Sequence, residues 1–405
     1  MTLLNSRGIN RLKESLDQAL LGSKRVSEPT YMKDIVGEIK QWDERDIVFA
    51  RTDLFQYFGT ESDEFKAYYG RHPELLKYDT MVNKLPDLGS KGGIDVPMYL
   101  AQFSIMDKIS TDSFVDGRPA SSKVEILPGR ASEKVKGLAS VLGAELVGIG
   151  PLRQEWVYSH SARSQGNKEG FQPRGTPNDL SQHTNVIALG FGMNYNLIQS
   201  APDFPVLVAT AKGYASGAWV SIQLAKYIRM MGYSARAHHF HNYRVMVVPV
   251  AVDCGLGELS RVGYLLTKKF GLALRLAAVT TNMPLVHDKP IDIGVQSFCA
   301  ACIICAEECP IGAITSGDKV DSNGVMKWKL NEQKCYRYWR AVGTDCGICM
   351  TVCPWSKPPN WLHRSVTALA AIKGPHQSLL TQAEKLFYGK HKSAPRPEYI
   401  DPYKS

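Results

Sequence analysis

The sequence predicts a mixed fold, α/β or α+β, that runs into a compact cysteine-rich module. Three observations carry this. Strand-like and helix-like stretches alternate between residues 132 and 280. Eight of the nine cysteines fall between Cys299 and Cys353. No apolar run approaches the roughly 18 residues that a bilayer span requires. The longest, Val245–Val252 and Val366–Ile372, are short, and Pro249 interrupts the first.

Composition sets the outer limits. The chain has 405 residues, 44% hydrophobic and 21% charged, enough for two or three units with ordinary cores. Its net charge of +9 suits an acidic partner, a membrane surface or nucleic acid. Met1-Thr-Leu-Leu-Asn lacks a charged region followed by an apolar core, and no twin-arginine pair occurs. The expectation is a cytosolic chain or one whose leader has been removed.

The cysteines define the module. Cys299-Ala-Ala-Cys302-Ile-Ile-Cys305-Ala-Glu-Glu-Cys309-Pro310 has the spacing that wraps a [4Fe–4S] cube with three thiolates and lends the fourth to a neighbouring cube. A second run, Cys346-Gly-Ile-Cys349-Met-Thr-Val-Cys353-Pro354, repeats the ending, with its first cysteine moved back to Cys335. The crossed rule assigns Cys299, Cys302, Cys305 and Cys353 to one cluster, and Cys335, Cys346, Cys349 and Cys309 to the other. Thiolates are soft anionic ligands suited to iron–sulfur clusters. A zinc ribbon does not call for the third linked cysteine, and a disulfide framework does not suit a chain this long.

The elements follow in order. Phe49, Phe55, Tyr57, Phe58, Phe65, Tyr68 and Tyr69 crowd a short span and read as helical core, with a pocket wall as the rival. Lys84–Pro97 is a loop by its Gly, Pro and Asp content. Ser132–Gly143 reads as a helix capped by Ser132, and Glu145–Ile149 as a strand. Arg163–Gln182 reads as a surface insertion. Asn185–Leu189 and Val206–Ala211 read as strands, Ser216–Met231 as a helix, then Ala235–Phe240 and Leu272–Thr280 as strands. One helix and a polar tail are expected after Pro354.

Other motifs fail. Gly255-x-Gly257 and Gly190-x-Gly192 lack the third glycine of a dinucleotide fingerprint. His238, His239 and His241 lack nearby sequence partners for a metal and read as surface or cofactor-lining. Cys254 reads as a small buried apolar residue. Two adjacent cubes pass electrons singly, and the remaining residues exceed what a carrier needs. A further redox centre is therefore expected in residues 130–296.

Several pieces resemble the corrinoid-dependent reductive dehalogenases. They are Thr210-Ala-Lys-Gly213-Tyr214-Ala-Ser216, Tyr227-Ile-Arg-Met-Met-Gly232-Tyr233-Ser-Ala235 and Val252-Asp-Cys-Gly255-Leu256-Gly257-Glu258-Leu-Ser-Arg261-Val-Gly263. Phe270-Gly-Leu-Ala-Leu-Arg275-Leu and Asp288-Lys289-Pro290-Ile-Asp292-Ile-Gly294-Val continue the set into the first cysteine. The resemblance implies the α+β class: a nitroreductase-like corrinoid-binding core over 131–296, with an insertion at about 151–184, and a ferredoxin-like two-cluster domain over 297–364. It leaves 1–130 to shape the substrate pocket and 365–405 as a tail.

The resemblance further implies a cobalamin-type corrinoid with its lower base detached; no DHxxG sequence is present to supply a cobalt-binding histidine. It places the proton donor at Tyr214, its companion cation at Arg275 and a polar neighbour at Asn242. Thr210, Gly255, Leu256, Gly257, Glu258 and Arg261 are the implied cofactor contacts. The expected activity is that of a terminal reductase of organohalide respiration. Its substrate would be a small organohalide, the Phe- and Tyr-rich span hinting at a compact hole for chlorinated alkanes or alkenes. A membrane-bound electron donor is expected and nucleic acid is not. The expected location is the outer face of the cytoplasmic membrane, reached by the twin-arginine route, with the leader absent here. Two rivals share the cysteine pattern: an epoxyqueuosine reductase, similar in Cys353-Pro354-Trp355, and a non-catalytic ferredoxin-like subunit holding iron without cobalt.

Overall fold

The computed structural model describes residues 24–400 except 359. The first four α-helices among the described residues are α1 (Val48–Asp53), α2 (Asp63–Arg71), α3 (Pro73–Asn83) and α4 (Pro97–Ile109). Ser62 caps α2 by accepting from the Phe65 amide. Pro73 and Pro97 sit in first turns, where a missing N–H leaves no bond unmade. Most of the aromatic run is core, as its spacing suggests. Leu54, Phe65, Tyr68 and Tyr69 pack with Phe55 and Phe58, and the Phe55 and Phe65 rings meet edge to face at 5.0 Å. Of the seven aromatics, Phe49 alone reaches the large cavity described below.

Helix α5 (Pro128–Val141) begins four residues before the expected start. Leu127 is its N-cap, so Ser132 caps nothing. The Ser132 hydroxyl donates to the Pro128 carbonyl and accepts from the Val286 amide. Gly143 follows the helix at φ +111°, a conformation that favours glycine.

The core is an antiparallel sheet of β1 (Leu146–Pro151), β2 (Asn185–Gly192), β3 (Ala235–His238) and β4 (Leu274–Thr281), in the order β1-β2-β4-β3. Asn185 pairs with Thr281 and Gly192 with Leu274. All of β2 is buried, and its alternate residues serve two cores. Ile187, Leu189 and Phe191 pack under α5 and α6 (Pro205–Met230). Val186 and Ala188 pack against α7 (Val247–Asp253) on the other face. Period-two alternation thus directs side chains to both sides of a covered sheet.

Helix α6 overturns one expectation. Val206–Ala211, read as a strand, is its first part. The run Val-Leu-Val-Ala-Thr-Ala is almost wholly buried, so no polar face betrays the 3.6 period; Pro205 in the first turn favours the helix start. Gly213 and Gly217 let α6 approach β4. A Cβ on Gly213 would lie 2.8 Å from Cγ of Arg275, and one on Gly217 would lie 3.2 Å from Cβ of Ala277. In an exposed helix, Gly→Ala gains about 1 kcal/mol. Gly213→Ala is expected instead to lower the melting temperature, because the methyl must displace the root of Arg275. Thermal unfolding followed by circular dichroism measures this.

The segment expected as a surface insertion folds partly inward. Ser161, Ala162, Ser164 and Phe171 are buried, and Arg163 reaches the large cavity. Its Gly and Pro breaks set the turns without dictating exposure. The cysteine module adds α8 (Val295–Ala301) and α9 (Glu332–Val342). Two helices, not one, follow Pro354: α10 (Trp361–Ala370) and α11 (His376–Tyr388). The polar tail also docks: Arg396 pairs with Asp203 at 2.6 Å and Ile400 is fully buried. Among the described residues no helix is long and apolar enough to cross a membrane.

Candidate active site and cluster sites

The eight module cysteines line two small cavities. Cys299, Cys302, Cys305 and Cys353 line the first, with Arg261, Phe298 and Trp355. Cys309, Cys335, Cys346 and Cys349 line the second, with Tyr264, Trp339 and Met350. This grouping is the crossed one: Cys309 turns away from its own run, and Cys353 turns towards the first. Gly347, at φ +71°, opens the Ile348–Thr351 turn that carries Cys349. Burial and neighbouring thiols push Cys346 up to about 11 and Cys335 up to about 12. Four soft donors converging on each small, largely apolar hole fit a metal–sulfur cluster, whose iron would hold them as thiolates.

The cavities lie in series. Val262 lines both cysteine cavities. Trp339 lines the second cysteine cavity and also a much larger one of about 440 Å³. This third cavity is walled by α6 (Leu207, Thr210, Tyr214), by the segment after β3 (His239, Phe240, Tyr243), by α7 and by the module residue Asp345. The first 130 residues contribute Tyr31, Ile39, Trp42, Phe49, Leu88 and Phe103. The expectation of a hole lined by Phe and Tyr was incomplete, since Trp156 and Trp339 join Trp42 in its wall.

Tyr214 faces this cavity from α6. Its ring stacks on Phe240 at 4.7 Å, and the Arg275 guanidinium lies 5.2 Å from its centroid. Arg275 donates to Thr210 Oγ1 at 2.7 Å and pairs with Asp345 at 3.5 Å. Burial raises the Asp345 carboxyl, and Arg275 opposes that shift. The structure therefore brings Tyr214, Arg275 and Thr210 together.

Asn242 does not join them. Its carbonyl oxygen accepts from Arg236 at 2.6 Å, and its amide donates to the Ser110 carbonyl at 2.6 Å and to Asp112 at 3.0 Å. These bonds fix the turn after β3 and leave Asn242 outside the cavity wall.

Five expected cofactor contacts also take other roles. Gly255 has φ +74°, and a Cβ there would meet the Lys289 carbonyl at 2.5 Å. A Cβ on Gly257 would meet the Leu266 carbonyl at 2.2 Å. Close backbone packing leaves no room for a side chain at either position. Leu256 packs in the core under β2. Glu258 accepts from the Ile293 and Val295 amides at the start of α8. Arg261 donates to the carbonyls of Cys299, Thr315 and Gly317, bracing the first cysteine cavity.

Several cavity residues escaped sequence reasoning. Arg163 is paired to Asp53 at 2.9 Å, with its guanidinium between the rings of Phe49 and Phe240. Its Gly- and Pro-rich surroundings signalled only a loop. His239 lines the cavity with an unpartnered Nε2, and burial lowers its imidazole to about 3, so it is neutral. His238 and His241 are engaged elsewhere: Thr280 bonds the first, Asp107 the second. No group of three or more metal-ligating side chains of ordinary metal-site geometry occurs among the described residues. Tyr31 and Trp156 both donate to the buried Asp253, at 2.6 and 2.9 Å. Burial raises that carboxyl to about 6.

Residues 298–356 match the 4Fe-4S double cluster binding domain. Tetrachloroethene reductive dehalogenase of Sulfurospirillum multivorans is 36% identical over 266 residues, 59% of this chain and 53% of the relative. Tetrachloroethene reductive dehalogenase of Dehalobacter restrictus is 30% identical over 273 residues, 58% of this chain and 49% of the relative. The catabolic reductive dehalogenase NpRdhA, solved in complex with 3-bromo-4-hydroxybenzoic acid, superposes with a TM-score of 0.74 at 25% identity. That match covers 93% of this chain and 51% of NpRdhA. The chain spans about half the length of these relatives. By sequence and by fold, then, this is a chain that carries a double-cluster iron–sulfur domain and resembles the reductive dehalogenases.

Proposed function

We propose that this chain is the catalytic part of a reductive dehalogenase. The large cavity would house a base-off corrinoid and a small organohalide, and the two cysteine cavities would hold [4Fe–4S] clusters. One observation carries the reading: Tyr214, with the Arg275 guanidinium against its ring, faces a cavity that shares Trp339 with a four-cysteine cavity. The reaction would take one organohalide, two electrons and one proton to the hydrogen-substituted carbon and free halide.

The residues fit the cofactor. Apolar walls from Val247, Val248, Val252 and Leu276 suit a broad macrocycle, and the unpartnered Nε2 of His239 suits a polar substituent on its rim. When bound, the corrinoid supplies the low-valent cobalt centre at which carbon–halogen bonds are reduced. The protein does the rest. Thr210 and Asp345 hold Arg275 in place, and Arg275 holds positive charge beside the Tyr214 ring. From that position the Tyr214 hydroxyl would give its proton to carbon. The aromatic wall excludes water from the carbon centre. Val262 borders both cysteine cavities and Trp339 borders the second and the large one, which would place the clusters and the cofactor in one line for electrons.

The hole suits small substrates such as chlorinated alkanes or alkenes, in keeping with the tetrachloroethene named for two relatives. A respiratory role, a membrane-bound electron donor and a place on the outer face of the cytoplasmic membrane extend the reading by the same resemblance. The test is anaerobic. Purified holo-protein is expected to contain about eight irons per chain, as two clusters require, together with cobalt. It should release halide from a chlorinated ethene with reduced viologen as donor. Iron without cobalt in fully loaded protein, or no halide from any of a broad organohalide panel, would overturn the proposal.

A further inference from the structure

The hairpin of α10 and α11 is built on two unlike faces. Its inner face is closed. Gln377 donates to Ser297 on α8 at 3.1 Å, Lys385 pairs with Glu307 at 2.7 Å, and Thr381 is buried with its hydroxyl near Cys302. Lys357 and Glu384 form a pair at 3.2 Å inside the hairpin, both largely buried. The hairpin thus packs on the segment that carries Cys302.

The outer face is apolar and open. Trp361 is 79% exposed, Leu386 83% and Phe387 82%, and Leu369, Ile372 and Leu379 are exposed beside them. On α10, Trp361 and Leu369 are eight residues apart; on α11, Leu379 and Leu386 are seven apart. Both spacings return a side chain to the same helical face. Water-facing clusters of large apolar groups mark interaction sites.

Charge identifies the partner. Of the six lysines and arginines in residues 360–397, Lys373, Lys385 and Arg396 pair with Asp292, Glu307 and Asp203. Glu384 is already neutralised by Lys357. Arg364, Lys390 and Lys392 are exposed around the apolar face. Aromatic and aliphatic side chains on a helical face, ringed by basic groups, match the boundary between acyl chains and anionic headgroups. A protein partner of this charge would need an acidic rim around an apolar centre; a bilayer bearing anionic lipid offers both as a plane.

We propose that the α10–α11 hairpin seats this protein directly on an anionic bilayer, with Trp361, Leu386 and Phe387 entering the interface. The proposal does not depend on the dehalogenase reading, and its test needs no turnover.

The test is flotation of holo-protein with vesicles of phosphatidylcholine alone or with about a third phosphatidylglycerol. Binding is expected to the anionic vesicles, to weaken in 0.5 M salt and to be slight on phosphatidylcholine. Leu386→Glu with Phe387→Glu is expected to lower binding at least about tenfold, since apolar insertion supplies the anchor. Lys390→Gln with Lys392→Gln should lower it less. Iron content and the circular dichroism spectrum should not change in either variant, because all four side chains face solvent. Absence of flotation with anionic vesicles overturns the proposal, as does unchanged flotation of the Leu386/Phe387 variant. A wild-type dimer that this variant dissociates, without any vesicle binding, would assign the face to a second copy instead.

Discussion

Tyr214→Phe is expected to cut dehalogenation by about 10²- to 10⁴-fold, the range for loss of a positioned general acid. The substitution removes one oxygen from a ring whose position is already fixed by stacking on Phe240 and by Arg275 above it. Ring packing should therefore survive, and cobalt and iron content with it. The loss should fall on kcat more than on KM, because in the proposed reaction the hydroxyl acts at the proton-transfer step and not in holding the substrate. Arg275→Leu should follow the same direction, and it would also leave the buried Asp345 without its cation. Turnover of the phenylalanine variant within threefold of the parent, at equal cofactor loading, would remove Tyr214 from the reaction.

Cys349→Ser is expected to abolish turnover and lower iron from about eight to about four per chain, because each cube needs its four thiolates. The crossed grouping adds a sharper expectation. Cys309→Ser should damage the same cluster as Cys349→Ser, although Cys309 belongs to the first run. Cys353→Ser should damage the other, together with Cys299. Electron paramagnetic resonance of the reduced variants tells the two centres apart. Cys254→Ser supplies the control. That thiol is buried against the Val186 carbonyl, away from both cysteine cavities, and iron content should not move. Pairing of losses within each run, Cys309 with Cys299, would refute the crossed assignment.

The cysteine grouping was legible because its ligands recur at short, fixed spacings, and local spacing survives in sequence. Tyr214, Arg275 and Thr210 became visible only through family resemblance, since nothing local distinguishes Tyr214 among 18 tyrosines. Asn242 makes three hydrogen bonds, with Arg236, Ser110 and Asp112, across a span of sequence that no local pattern announces. Gly255 and Gly257 were recognised as special positions, but the reason lay in carbonyls of Lys289 and Leu266 that only folding brings near. The start of α6 was misread because a helix buried all round carries no periodic polar face. Arg163 was hidden by the opposite effect, since a polar, glycine-rich stretch reads as exterior even where one side chain turns in to meet Asp53.

The indole of Trp339 bounds two chambers at once. Engineers wishing to admit bulkier halides would naturally trim it, yet the same cut would hydrate the thiol-lined compartment behind and shift its reduction potential. Selectivity and driving force are thereby tied to one side chain. Broadening scope without disturbing the redox side calls for changes elsewhere in the wall, at Phe103, which lines neither sulfur-lined compartment and packs on Tyr99 and Phe240.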